Sequence, residues 1–247
     1  MTNQLSFIPD APAVIEPAYA LFSGGKDSFA TACVLEDAGM LRGCVALRTG
    51  ISTPDWQVGV ERICAARQWP LEFFDTSASY EQLVRQYGFP GPAQHGMFMN
   101  YLKGRAIRKF KKAHPGATLA SGVRSAESGR RSLSAKAISD FEGVRVIAPI
   151  LNWTTDEVWE YVRSRDYERP FAYSAIQISG DCLCGAFAHE GERDAIRFWY
   201  PEIDQRLCAL ESEGKRGCWG WGNDQPKLKT GAASLICVEC GQTEMSF

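Results

Sequence analysis

The chain has almost no net charge and no apolar run long enough to span a bilayer. Its 27 basic and 29 acidic side chains leave a formal charge of -2. No global field therefore draws it onto nucleic acid or membrane, and any such contact has to be local. The missing apolar run argues against a membrane helix. The opening residues lack the basic, apolar layout of a secretory leader and carry Asp10 and Glu16, so a cytoplasmic location is expected. Repeats and low-complexity tracts are also missing. Disulfides are not expected, because the 9 cysteines are odd in number and a reducing compartment is expected.

What is present suits a soluble α/β protein. At 247 residues and 45% hydrophobic side chains, the chain has material for one large core with a small appendage. After a polar, proline-bearing arm over 1–16, short apolar strand candidates alternate with helical patterns. The strands are Ala18–Leu21, Cys44–Leu47, Leu71–Phe74, Ala117–Ala120 and Arg145–Ile147. The helices are Asp27–Asp37, Trp56–Arg67 and Asn100–Lys112. Such alternation predicts a parallel sheet with helices on both faces, with ligands beyond the carboxyl ends of its strands. Thr154 or Thr155 caps a further helix, and Glu190–Glu213 reads as one helix broken near Pro201. The expected divisions are the arm, a nucleotide-binding domain over 17–170, and a cysteine-rich region over 171–247.

The most informative segment is Ser23-Gly24-Gly25-Lys26-Asp27-Ser28. It joins an apolar strand to an apolar helix. Backbone N–H groups and the positive end of a helix dipole meet at such a turn, so it suits a phosphate. Glycine lets the main chain approach the anion, Lys26 adds a mobile charge, and Ser23 and Ser28 add hydroxyls. It is not a Walker A loop, which spaces its glycines differently and follows lysine with Ser or Thr. It resembles the Ser-Gly-Gly-x-Asp-Ser signature of the PP-loop ATP pyrophosphatases.

Other clusters follow strand candidates. Thr49 and Gly50 offer a hydroxyl and a flexible backbone. The stretch Ser121–Arg131 gathers Gly122, Arg124, Glu127, Ser128 and Arg131, and arginine suits bidentate recognition of phosphate or sulfate. Glu127 is placed to hold an arginine or to orient Mg2+. Cys182 and Cys184, with Cys237 and Cys240, supply four thiolates for a [4Fe-4S] cluster or, as the alternative, zinc. Cys33, Cys44, Cys64 and Cys208 read as core, and Cys218 as a spare ligand or reactive thiol. The basic run Lys103–Lys112 reads as a solvated helix face or a nucleic-acid contact.

Taken together the pieces resemble the phosphoadenosine phosphosulfate (PAPS) reductase family within the PP-loop superfamily. The resemblance rests on Ser23–Ser28, Thr49-Gly50-Ile51, Gly122-x-Arg124-x3-Ser128-x2-Arg131, Pro149–Trp159 and the Cys182/Cys184 region. It implies an adenine nucleotide gripped by Ser23–Ser28, with Arg124 and Arg131 near the anionic group. Lys26, Asp27, Arg124 and Arg131 are the catalytic candidates. Two departures matter. Glu239-Cys240-Gly241 is followed by Gln242, where sulfonucleotide reductases have an apolar residue and histidine, and the phosphate loop is complete where theirs is degraded. Both favour relatives that split ATP with Mg2+ and insert sulfur, in nucleic-acid thiolation or DNA phosphorothioation. A cysteine desulfurase-like sulfur donor and a nucleic-acid substrate are the partners so implied. The competing readings are a sulfonucleotide reductase and a non-catalytic, metal-stabilised nucleic-acid-binding accessory.

Overall fold

Alternation of apolar residues decides which side of each strand meets which helix. In the computed structural model, which describes residues 12–76, 79–127, 135–213 and 217–220, β1 (Ala18–Leu21) lies between β2 (Leu41–Arg48) and β4 (Thr118–Ala120). Ala18, Ala20, Cys44 and Ala46 face one layer, and Tyr19, Leu21, Val45 and Leu47 face the other. A slip of one residue would exchange the two faces, so the pattern fixes the register. The small side chains of the first face leave room for α1 (Lys26–Asp37), α2 (Trp56–Arg67) and α6 (Thr155–Arg163). The opposite face takes α5 (Arg105–Ala113), through Ile107 and Phe110.

The sheet has six strands in the order β3-β2-β1-β4-β6-β5, where β3 is Leu71–Asp75, β5 Ile138–Phe141 and β6 Val144–Ile147. All neighbours are parallel except β5 and β6, which form an antiparallel hairpin at one edge. The parallel, doubly covered sheet is the α/β fold expected from the sequence. The edge strand β5 was not expected. Its residues Ile138–Asp140 are exposed, so it lacks the apolar signature of a covered strand.

A second apolar cluster forms beside the sheet. It joins α3 (Tyr80–Tyr87) and α4 (His95–Met99) to α7 (Phe171–Ile176), α8 (Glu192–Trp199) and α9 (Pro201–Ser212). The break between α8 and α9 falls at Tyr200, before the proline at the first position of α9. The helix expected over Asn100–Lys112 is α5 preceded by a π-helical turn over Asn100–Gly104. Cys33, Cys44 and Cys64 are buried as expected. Cys208 is a correction: it lies on the exposed side of α9, its thiol beside Asp204. No helix among the described residues is long and apolar enough to cross a membrane.

At the start of α6, Thr154 accepts from the Glu157 N–H at 3.2 Å, and Glu157 returns a 2.6 Å bond from the Thr154 N–H. This reciprocal cap sets where α6 leaves the loop that follows β6. Glu157 is held below the ordinary carboxylate range by its hydrogen bonds from the Thr154 backbone and side chain. We predict that Thr154→Ala lowers stability by about 1 kcal/mol, read as a shift of the urea midpoint at unchanged slope.

Candidate functional site

The turn after β1 opens on backbone geometry that few side chains tolerate. Gly24 sits at φ +82°, in the left-handed region. The Ser23 carbonyl accepts from Trp56 Nε1 at 2.9 Å, and the Gly24 carbonyl from the Tyr167 hydroxyl at 2.8 Å. A peptide's N–H points opposite to its C=O. Pinning these two carbonyls therefore fixes the directions of the Gly24 and Gly25 N–H groups. Gly25 caps α1 without a side-chain hydrogen bond. The N–H groups of the first helical turn have no intrahelical acceptor, so the end of α1 is left open to an anion. Ser28 closes the turn from below, donating to the Gly25 carbonyl at 2.8 Å and standing 3.3 Å from Ser23 Oγ.

Lys26 and Asp27 face each other across this opening, with Nζ 2.7 Å from Asp27 Oδ2. The other carboxylate oxygen, Oδ1, accepts from Arg124 Nε at 2.7 Å. Arg124 is 1% exposed and also donates to the Trp153 carbonyl at 3.2 Å and Thr155 Oγ1 at 3.3 Å. It therefore sits behind the loop and holds Asp27, which in turn holds Lys26. Arg124 thus stands next to the loop, as expected, with its side chain buried against Asp27. Gly122 explains how the arginine segment comes so near: a Cβ there would lie 2.8 Å from the Asp27 carbonyl carbon and oxygen.

The loop forms the polar end of a cleft of about 670 Å³. Leu21, Val45, Leu47, Ile107 and Val146 give it an apolar wall, while Ser121, Ser179, Lys103 and Asp181 add polar groups. A polar end with free backbone donors and an apolar wall match a nucleotide's phosphates and its base.

Thr49 does not face the cleft directly. It is fully buried and donates to the Asp181 carbonyl at 2.9 Å. Thr53 N donates to the Gly180 carbonyl at 2.9 Å, and Leu183 N to the Ile51 carbonyl at 2.6 Å. The turn after β2 thus clamps the segment that carries Asp181, Cys182 and Cys184. Gly50 is exposed, and its carbonyl accepts from Arg206 at 2.9 Å. Thr49 and Ile51 hold this clamp, while Gly50 meets Arg206.

Lys103 and Asp181 were not singled out as a pair by sequence, yet they meet at 2.8 Å on the cleft wall. Ser179 Oγ donates to the other Asp181 oxygen at 2.7 Å. Burial opposes ionisation of Asp181, but Lys103 and Ser179 outweigh it and keep the carboxyl below its ordinary range. The only sequence signal was the membership of Lys103 in the basic run. That run is not one face: Arg108 pairs with Glu142, Lys109 donates to the Asp75 carbonyl, and Arg105 stacks over Tyr101.

Cys182 and Cys184 lie just past Asp181, with buried Leu183 anchored between them by the Ile51 carbonyl and Trp219 Nε1. The Cys182 thiol hydrogen-bonds the Cys184 sulfur. That bond brings Cys184 down to about 7 against the effect of burial, with help from the Ala186 N–H and Lys103. The same bond and burial push Cys182 up. Cys237 and Cys240, and also Ser128 and Arg131, lie outside the described residues. Glu127 ends a short 3-10 turn, Ser125–Glu127, at the exit of the arginine segment. Among the described residues no three His, Cys, Asp or Glu side chains gather as a metal-binding group.

Removing one partner of a buried ion pair leaves the other desolvated and unmatched. We predict that Arg124→Ala costs about 3 kcal/mol in chemical denaturation, with Arg124→Lys recovering part of the loss because charge returns without the guanidinium fork.

The phosphoadenosine phosphosulfate reductase domain model matches residues 17–174. No curated protein matches the sequence. The solved structures that resemble the chain include a PAPS reductase from Candida auris in a phosphate complex. It is 16% identical over 65% of this chain and 78% of its own, with a TM-score of 0.49. Another is an FMN adenylyltransferase from Candida glabrata in complex with FAD and inorganic pyrophosphate, 14% identical over 65% of this chain and 52% of its own, with a TM-score of 0.47. The chain thus spans about half the length of the second of these. The family match runs from the strand before the glycine loop into α7, taking in the loop, Arg124 and the cap of α6. On that match the chain belongs to the phosphoadenosine phosphosulfate reductase domain family.

Proposed function

We propose that the chain is an ATP pyrophosphatase that adenylates an acceptor oxygen so that sulfur can replace it, releasing pyrophosphate. Nucleic-acid thiolation or phosphorothioation is the setting. The observation that carries this reading is the uncapped N-terminus of α1 behind Ser23-Gly24-Gly25, with Lys26 on its first turn. Preorganised N–H donors and a lysine stabilise charge that builds on a departing pyrophosphate, and they need no rearrangement to do so. The apolar wall from Leu21 to Val146 would take the adenine. Asp27, steadied by Arg124, keeps Lys26 at the opening until the polyphosphate competes for it. In this reading residues 17–170 hold the nucleotide and residues 171–247 form the metal-binding region.

Mg2+ has no cage here. Both Asp27 oxygens are committed, one to Lys26 and one to Arg124. Both Asp181 oxygens are committed as well. The described residues therefore do not fit an ion held by the protein, and Mg2+ would arrive on the polyphosphate. For a [4Fe-4S] cluster or zinc, the donor chemistry fits in half: Cys182 and Cys184 present two free, half-buried thiols one residue apart. Cys237 and Cys240 would complete the set. Such a group supplies a sulfur relay or an anchor for the chain around it. Leu183, fixed through both its backbone groups, holds the two thiols together. A sulfur donor of the cysteine desulfurase kind would be the partner.

A second reading, a sulfonucleotide reductase, draws on the family match itself. Incubation with ATP and Mg2+ should release pyrophosphate, while adenylyl sulfate or PAPS with a reduced thiol should give no sulfite. The opposite outcome establishes the reductase. Lys26→Ala should lower pyrophosphate release by about 100-fold, and an unchanged rate would remove Lys26 from the reaction. Anaerobically purified protein should show a broad violet-edge absorption that bleaches on reduction. A colourless, zinc-loaded protein would replace the cluster with zinc.

A further inference from the structure

The rim of the cleft carries charge and aromatic surface that nucleotide cleavage does not use. Trp159, on α6, has three cations about its ring. Arg169 Cζ lies 4.7 Å from its centroid, and Arg163 Cζ and Lys26 Nζ lie 5.8 Å from it. Tyr173, which lines the cleft, stands edge-on to Trp159 at 6.1 Å and 5.6 Å from Arg169. Farther out, Phe171 meets Trp199 at 5.4 Å, and both rings are more than 40% exposed (49% and 43%).

Most arginines of this protein hold a carboxylate. Arg62, for example, takes Glu168 at 2.6 Å and so occupies the acid next to Arg169. Arg163 and Arg169 are exposed, and no described carboxylate lies within ion-pair distance of either. Two guanidinium groups without a carboxylate, beside the half-exposed rings of Trp159 and Tyr173 and on the same side of the chain as exposed Phe171, suit a ligand that alternates anions with flat aromatic groups. A single nucleic-acid strand has that alternation. Its bases stack on aromatic side chains for about 1–3 kcal/mol each, and arginine adds cation–π attraction. A duplex hides its base faces, and an acidic peptide offers the charge without the rings.

We propose that Trp159, Arg163, Arg169, Phe171, Tyr173 and Trp199 bind a single nucleic-acid strand and lead it to the cleft. The proposal rests on the ATP-activating reading of that cleft and names its acceptor. The strand's phosphates meet Arg163 and Arg169, and its bases lie on the exposed rings. Tyr173, shared between the rim and the cleft, marks the point of entry.

The test is anisotropy of fluorescein-labelled oligothymidylate and oligouridylate titrated with the full chain, beside calorimetry with ATP. We expect single strands to bind, with affinity falling as salt rises by a logarithmic slope of about 0.7 per phosphate contacted. The double substitution Arg163→Glu, Arg169→Glu should weaken strand binding by about tenfold or more and leave ATP binding unchanged. The proposal is overturned if neither strand binds, if the double variant binds strands as tightly as the parent, or if a duplex binds equally well. It is also overturned if the substitutions weaken ATP instead, since the arginines would then serve the nucleotide. If ATP binds neither protein, the reading of the cleft fails, while loss of strand binding in the double variant still supports the rim.

Discussion

One buried guanidinium organises this site. Arg124 is enclosed by the start of α6 and reaches the phosphate loop from behind. Its charge is matched by Asp27, and that carboxylate also takes Lys26. Three elements distant in sequence are thereby tied at one point: the β1 turn, the segment after β4 and the cap of α6. Desolvating such a group is costly unless its partners are in place, so the tie specifies the arrangement more than it stabilises it. The loop's carbonyls are held by Trp56, Tyr167 and Ser28, and its Ser23 and Gly25 N–H groups make only long bonds of 3.3 and 3.4 Å to the Ser28 and Ser23 hydroxyls.

A second tie works mainly through backbone groups. The turn after β2 binds the Gly180–Leu183 stretch with hydrogen bonds from Thr49 and Thr53 and one accepted by Ile51. It brings Ser179 and Asp181 to the cleft wall, where Ser179 passes so near Gly25 that an added Cβ would meet it at 3.3 Å. Ser179 and Asp181 therefore line the same cleft as the phosphate loop, and the thiol pair follows directly in the chain.

Much of this was legible in the chain. The strands β1 to β4 and β6, helices α1 and α2, and the Thr154 cap follow from period-two and period-3.6 patterns and from capping chemistry. The glycine loop could be read because its residues act through local backbone geometry. What could not be read depended on distant partners. Arginine at 124 looks the same in sequence whether it faces an anion or a buried carboxylate. Thr49 likewise shows nothing of its bond to Asp181. The strand β5 was hidden because an exposed edge strand needs no apolar alternation. Helix α3 carries its apolar residues Tyr80, Leu83 and Val84 at helical spacing, but it is only eight residues long. Cys208 sits on the polar side of a helix whose pattern was read one face too wide.

The widened turn at Asn100–Gly104 has an evolutionary consequence. A π turn holds one residue more than regular winding would. Deleting a single residue there would restore the ordinary helix with its flanks in register, so the change would fall on the side chains of the turn itself. Lys103 would swing off the cleft wall and Asp181 would lose its counter-ion. The contents of this cavity can thus be changed by altering chain length as well as by exchanging side chains, so relatives with a one-residue gap at this position should carry a different group opposite the carboxylate.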